Sequence, residues 1–514
     1  MKRLVFLIAF FVLAAPALYA QQPDLGTDAQ REAGKVTYDQ KCGHCHGENG
    51  DAVSVATAYL RPTPRDFTSG NYKFRSTASG ELPTTEDIKR SIRDGMPYTS
   101  MPAWEGILSE SDITNLAYYI KSFDNDFSGP YGTPEVITIQ TQAFDESKLA
   151  RGREVFEANQ CADCHGVNGR GNGESAPTLE DEWGYHIRPA DMTKRWTFRA
   201  SATREDIYRT FTTGLNGTPM PSYQQTISEE DRWALVDYVW SLSRDEPGYG
   251  TLVTAQGTQD ALDISQGAAL FENAPTAYFP IVGQLIEPGR AFYPGVNGVE
   301  VKAVYNQEDI AIMLSWNDMT AETSGSNSLT MAVPLFDPSM ADSAAADTVS
   351  VYSDAVALLL PSEVQAGIEK PYFMFGDSKN PMDIWFADLA TNDAHVFMGK
   401  GIGSIEQTDQ SLERYANYDD GVWTVIFKRK RRMDGGLSFE EGAFTPISFS
   451  VWDGFNQERG NKRGLSAWYH VYLSPLETES AALPMAKWGL ITLLIELGLI
   501  GVVRWRSKKE AVVA

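Results

Sequence analysis

All four cysteines of this 514-residue chain fall in two copies of one five-residue pattern. The first is Cys42-Gly43-His44-Cys45-His46 and the second is Cys161-Ala162-Asp163-Cys164-His165. Cys-x-x-Cys-His is the attachment signature of c-type haem. Two thiols add across the vinyl groups of the porphyrin, and the adjacent histidine lies under the iron as its proximal ligand. The pattern commits every thiol to haem and leaves none for an intramolecular disulfide. It excludes a disulfide-stapled fold and predicts two covalent haems c and one-electron chemistry.

The two ends of the chain predict where that chemistry takes place. Lys2 and Arg3 precede an apolar run over 4–13, and Ala17-Leu18-Tyr19-Ala20 offers a cleavage site. Residues 1–20 therefore read as an export signal, and the lack of a twin arginine predicts secretion of an unfolded chain. Residues 485–503 are almost uniformly apolar, flanked by Trp488 and Trp505 and followed by Arg504, Arg506, Lys508 and Lys509. This predicts a transmembrane helix over 484–505 with a cytoplasmic tail, so the bulk of the chain faces the periplasm from the inner membrane. Glu496 falls within the span, where a carboxylate is costly. A net charge of −24 argues against a nucleic-acid partner.

The two motifs belong to a repeat. Cys42 and Cys161 are 161 − 42 = 119 residues apart, and the same offset relates Met101-Pro102 to Met220-Pro221, Asp87-Ile88 to Asp206-Ile207, and Tyr119 to Tyr238. A register held over that length predicts duplicated domains, at 26–125 and 145–246. Gly34, Val36 and Tyr38 lead into the first motif, and Gly152, Val155 and Phe156 into the second. Ser109-Glu110-Ser111-Asp112 and Ser228-Glu229-Glu230-Asp231 each predict a capped helix start. Leu116, Ile120 and Phe123, and in the second copy Leu235, Val239 and Leu242, supply the buried face.

These features resemble class I cytochrome c domains: an N-terminal helix, the haem motif, a Met-Pro loop and a C-terminal helix. The resemblance implies that His46 and Met101 hold one haem iron, and His165 and Met220 the other. A thioether sulfur stabilises ferrous iron and raises the potential. Met96 also precedes a proline, but it aligns with Leu215 whereas Met101 aligns with Met220. Met96 is thus expected in the core, and His44 and His186 at the surface or in packing.

Residues 245–256 are rich in Gly, Pro and Thr and read as a linker. From 261 to 476 short apolar runs alternate with turn residues, at 299–305, 310–316, 356–360, 424–427 and 447–452. That pattern predicts an all-β sandwich or barrel. Four local motifs resemble the haem-binding γ-subunit of ethylbenzene dehydrogenase-type molybdenum enzymes: Trp316-Asn317-Asp318 with the run before it, Phe373-Met374-Phe375-Gly376-Asp377, Pro381-Met382-Asp383-Ile384-Trp385, and Val451-Trp452-Asp453-Gly454 followed by Lys462 and Trp468. The resemblance implies a β-sandwich carrying a non-covalent haem b between Met374 and Lys462. It also implies an electron-transfer link to molybdenum and iron–sulfur subunits of the dimethyl sulfoxide reductase class. Arg459 and Arg463 beside Lys462 read as a basic surface patch. The five basic residues at 428–432 read as a solvated turn or a contact for lipid or an acidic subunit.

The expectation is an electron-transfer subunit of a respiratory molybdenum oxidoreductase of the nitrite, nitrate or chlorate type, carrying no substrate chemistry itself. Two other readings stay open. A haem-free β domain would make the chain a tethered cytochrome that binds a partner protein or a carbohydrate. A dihaem peroxidase would need one iron with a displaceable ligand.

Overall fold

The structure, a computed structural model, describes residues 23–129, 134–283, 295–333, 351–363, 369–432, 437–476 and 482–513. The expected export signal lies outside these.

Each haem motif sits in a small helical unit. The first contains α1 (Asp28–Lys41), α2 (Gly43–His46), α3 (Thr85–Asp94) and α4 (Glu110–Lys121). The second contains α5 (Leu149–Ala158), α6 (Cys161–His165), α7 (Arg204–Thr213) and α8 (Glu229–Leu242). The serine starts are real caps. Ser109 accepts from the Asp112 amide, and Asp112 accepts in return from the Ser109 amide. Ser228 caps α8 through the Asp231 amide. The predicted faces are buried, with Ile113, Leu116 and Ile120 in one core and Trp233, Leu235 and Val239 in the other.

The first and last helices of each unit touch backbone to backbone. A Cβ on Gly34 would lie 2.1 Å from the Asn115 carbonyl oxygen, and one on Gly152 would lie 2.1 Å from that of Ala234. These pairs expose a slip in the repeat. The carbonyls are 234 − 115 = 119 apart, but the glycines are 152 − 34 = 118 apart. In the first unit Cys42 follows α1 directly. In the second an extra residue separates helix and motif, and Gln160 takes it up in the left-handed region, at φ 58°.

The β region comprises β1 (Leu252–Gly257), β2 (Ala277–Pro280), β3 (Val282–Gly283), β4 (Gly298–Tyr305), β5 (Asp309–Asn317), β6 (Ala355–Pro361), β7 (Met382–Asp388), β8 (His395–Gly399), β9 (Ile405–Gln407), β10 (Glu413–Asp419), β11 (Val422–Lys430), β12 (Phe444–Trp452), β13 (Gly464–Leu465) and β14 (Tyr469–Leu473). The main path runs β10-β11-β5-β4-β1-β14-β12-β6-β7-β8-β9. β12 turns the corner: residues 444–447 pair with β14 and residues 448–452 with β6. The two halves then face each other across one core, where Val301, Ile312 and Val425 meet Leu358, Trp385 and Phe449. All five short runs singled out in the sequence are strands. β6 is buried on both faces, which is why it reads as a continuous apolar run.

Three expectations need correcting. The stretch read as a linker ends in β1, a central strand pairing in parallel with β14 and β4. Its buried Val253 and Ala255 alternate with polar residues, and so few apolar positions hid it. The basic run 428–432 spans the end of β11 and the two residues after it, and Arg429 and Arg431 are buried. All five have carboxylate partners: Lys428 has Glu413, Arg429 has Asp383, Lys430 has Glu308, Arg431 has Glu441 and Arg432 has Glu440. Finally, Arg459 and Arg463 form no surface patch, because both are buried.

α9 (Ala482–Val513) contains Met485–Trp505, long and apolar enough to cross a membrane and nowhere buried against the rest of the chain.

Candidate haem sites

In each unit the motif is a single helical turn that brings two thiols and an imidazole together. Cys42 both ends α1 and caps α2, so the first thiol is fixed by the long helix behind it. Cys42 packs on the first apolar core and Cys161 on the second. Burial pushes the Cys42 thiol up to about 12 and the Cys161 thiol up to about 11. Neutral thiols against an apolar wall suit the rim of a porphyrin.

The histidines of the two motifs are held alike. His46 Nδ1 lies 2.9 Å from the Arg65 carbonyl, and His165 Nδ1 lies 3.1 Å from the Ala190 carbonyl. A carbonyl only accepts, so Nδ1 carries the proton and Nε2 is left with its lone pair. This is the usual way a protein fixes the tautomer of a metal-binding histidine. Burial lowers the pKa of both rings and favours the neutral form that can ligate iron. Phe67 stacks on the His46 ring at 4.6 Å.

The methionine loops repeat bond for bond. The Met96 amide donates to the Met101 carbonyl at 3.0 Å, and the Leu215 amide to the Met220 carbonyl at 3.1 Å. Thr99 and Thr218 each donate to the carbonyl of the earlier residue at 2.8 Å and accept from the methionine amide. Met96 thus occupies the place of Leu215, as the alignment requires. Gly95 and Gly214 open these loops with φ of 65° and 69°. A side chain there would strike the chain after the methionine, at Ala103 and Pro221 respectively. Met220 packs on the same apolar cluster as Cys161. His44 is exposed, and His186 packs edge-on against Phe455 with Nε2 at the Ala176 carbonyl.

The segments that hold the proximal histidines also join one unit to the next. Arg65 pairs with Glu182 of the second unit, and its guanidinium lies 5.0 Å from the Trp183 ring centre. Arg90 reaches Asp206 at 2.7 Å, and Arg75 donates to the Thr213 carbonyl at 2.8 Å. Arg188, two residues before Ala190, pairs with the buried Asp453 of the β region. Arg170 reaches Asp420 there at 2.9 Å. The sequence carries no signal for the Arg65 and Ala190 carbonyls, because any residue has one. Asp318 and Asp453 did stand within motifs singled out, as acidic residues just beyond strands.

The two residues expected around haem b are less simply arranged. Met374 is buried. Lys462 Nζ donates to the Asn456 carbonyl at 2.8 Å, and burial lowers its pKa against the opposing pull of Glu458. The loops carrying them are tied by Arg463, which donates to the Phe373 carbonyl at 2.6 Å and lies 3.9 Å above the Phe375 ring. Neither residue lines the cleft of about 370 Å³ between the second helical unit and the β region. A thioether and an amine are a chemically sound pair for iron. As placed, the amine is engaged by the Asn456 carbonyl.

Known proteins agree with the helical units. Residues 149–243 match the family model for cytochrome c, and residues 29–120 match that for subunit III of cbb3-type cytochrome c oxidase. Cytochrome c55X of Paracoccus denitrificans is 30% identical over 120 residues, 23% of this chain and 94% of that protein. The chain belongs to the cytochrome c family, and it carries two such domains. A candidate respiratory nitrate reductase heme subunit, ORF7 of Haloferax mediterranei, is 25% identical over 183 residues, 35% of this chain and 57% of that protein. The cbb3-type oxidase subunit FixP of Azorhizobium caulinodans is 29% identical over 224 residues, 43% and 62%. This chain thus spans about three-fifths of the length of these two relatives. Among solved structures, the reducing HAO-like protein complex of Kuenenia stuttgartiensis gives 41% identity over 41% of this chain and 96% of that one, at a TM-score of 0.39. Two cytochrome c domains imply haem c in each and an electron-transfer role.

Proposed function

We propose that this chain is a membrane-tethered electron-transfer subunit of a respiratory molybdenum oxidoreductase of the nitrite, nitrate or chlorate type. The observation that carries the electron-transfer reading is the identical support of both proximal histidines, each with its Nδ1 proton on a carbonyl. Haem bound at Cys42 and Cys45, and at Cys161 and Cys164, supplies reversible one-electron chemistry. His46 and Met101 would hold the iron of the first haem, and His165 and Met220 that of the second, each through an imidazole nitrogen and a thioether sulfur. A histidine and a methionine available to each iron would favour electron transfer over a peroxidase. The similarity to ORF7 supports a nitrate-type complex. The apolar Met485–Trp505 helix, followed by basic residues, supports a single-pass anchor in the inner membrane with the bulk in the periplasm. In this reading the β region docks the molybdenum and iron–sulfur subunits and holds a haem b between Met374 and Lys462.

Isolation of the complex from its native membrane, with metal analysis, tests the assignment. Co-purifying molybdenum and non-haem iron are expected, and a chain that purifies with neither overturns it. The bond from Lys462 to Asn456 favours a second reading, in which the β region is haem-free and binds a partner protein or a carbohydrate. A pyridine haemochrome spectrum separates the two: two haems c with one extractable haem b support the first, and haem c alone supports the second. Met101→Ala and Met220→Ala should each abolish half of the sulfur-to-iron charge-transfer band. A resting protein without that band would refute the methionine ligands.

A further inference from the structure

At one pole of the β region three strand ends converge. Asp318 follows β5, Asp354 precedes β6 and Asp453 follows β12. All three are buried, and one carboxylate oxygen from each lies within 4.8 Å of the other two. Two of the three are well supported. Asp354 accepts from the Glu322 amide at 2.9 Å, the Gly454 amide at 2.8 Å and the Trp423 indole at 3.0 Å. Asp453 accepts from the Asn456 amide at 3.1 Å and from Arg188. Asp318 differs. It is 3% exposed, and neither of its carboxylate oxygens has a hydrogen-bond donor among the described residues.

The described surroundings add further carboxylates. Glu322 and Glu458 flank the cluster, and Glu322 Oε2 is also buried without a donor. Among the described residues Arg188 acts on Asp318 and Glu322, and Lys462 on Glu458, two cations beside five carboxyl groups. Burial, reinforced by repulsion from Asp453, raises Asp318 well above the carboxylate range and Asp354 to about 8. A buried carboxylate with no partner is expensive, and proteins relieve it with a proton or a metal.

We propose that Asp318, Asp354 and Asp453 form a binding site for a divalent cation of the calcium class. All the donors are hard oxygens, and neither thiol nor imidazole belongs to the cluster, which excludes a zinc- or copper-type set. Oxygens within 4.8 Å of one another can share one ion at the roughly 2.3–2.6 Å bond length of calcium. The shorter bonds and stricter octahedron of magnesium suit this spacing less well. The unsupported oxygens of Asp318 are the ones an ion would satisfy. Asp453 is shared with Arg188 of the second cytochrome domain, so the ion also fixes the joint between that domain and the β region.

The test is calorimetric titration of calcium into the purified full-length holoprotein, stripped with a chelator and held in detergent. One calcium per chain is expected, with magnesium binding at least tenfold more weakly and calcium raising the melting temperature. Asp318→Asn should weaken calcium binding at least tenfold with haem c content unchanged. If that variant does not mature, Asp354→Asn takes its place, and the wild-type titration remains decisive. Wild-type protein that binds no calcium at millimolar concentration would overturn the proposal and leave protons as the neutralising species. Asp318→Asn protein that binds calcium like wild type would also overturn it.

Discussion

Gly34→Ala and Gly152→Ala test the helix crossing on which both cytochrome domains are built. Both glycines lie within helices and both are buried. In an isolated helix alanine would gain about 1 kcal/mol over glycine. Here the new methyl would lie 2.1 Å from a carbonyl oxygen of the partner helix, where ordinary contact begins at 3.4 Å. The helices must therefore part by as much as 3.4 − 2.1 = 1.3 Å. Forced overpacking of this kind costs about 3 kcal/mol. The net loss is then about 2 kcal/mol, or roughly 10 °C in a domain of this size. Far-UV circular dichroism and scanning calorimetry of the full holoprotein would record it, with Gly34→Ala lowering one transition and Gly152→Ala another. The reasoning fails if either variant melts at or above the wild-type temperature.

Three further outcomes follow from particular side chains. Arg429 and Asp383 form an ion pair at 3.1 Å with both side chains buried, so Arg429→Met should destabilise the β region by about 3–5 kcal/mol in chemical denaturation. Adding Asp383→Leu should recover most of that, since two apolar residues replace a stranded carboxylate. Burial first, and then repulsion from Arg65, lowers Lys73 from 10.5 to about 8. Between these values the unfolded chain holds a proton that the folded chain has lost, so stability rises with pH across that window, by up to about 3 kcal/mol. At pH 7 both states are protonated and the cost of burying the charge is fully present, so Lys73→Met should raise the melting temperature there and not at pH 11. Cys161→Ser with Cys164→Ser should leave one covalent haem per chain by acid-acetone extraction and mass measurement, and retention of two would refute the assignment.

The haem motifs were legible because covalent chemistry fixes residue type and spacing together. The repeat was legible because both loops need the same turn, from Gly95 or Gly214 to the methionine. The strands were legible where both faces are buried, as in β6, and illegible in β1, where only Val253 and Ala255 carry the signal. The basic run misled because charge usually means solvent. At the end of β11 Arg429 turns inward to Asp383, 46 residues away, and just beyond it Arg431 turns inward to Glu441. Arg459 and Arg463 misled for the same reason. Burial with partners leaves little local trace, since Arg463 donates to Ser450 and to the Phe373 carbonyl as well as to its neighbour Asn461. The acid cluster was invisible as a group, because its members are separated by 354 − 318 = 36 and 453 − 354 = 99 residues and meet only when three strands end together.

The segments bearing the Arg65 and Ala190 carbonyls do double duty, since each steadies an imidazole and grips the next module. Neither redox centre is therefore insulated from the articulation beside it. Any displacement of the β region would tug through Arg188 on the peptide that cradles His165, and a bound iron would register the pull as a change in potential. Cut apart at their boundaries, the two cytochrome domains should each bind haem and yet poise it differently from the intact chain.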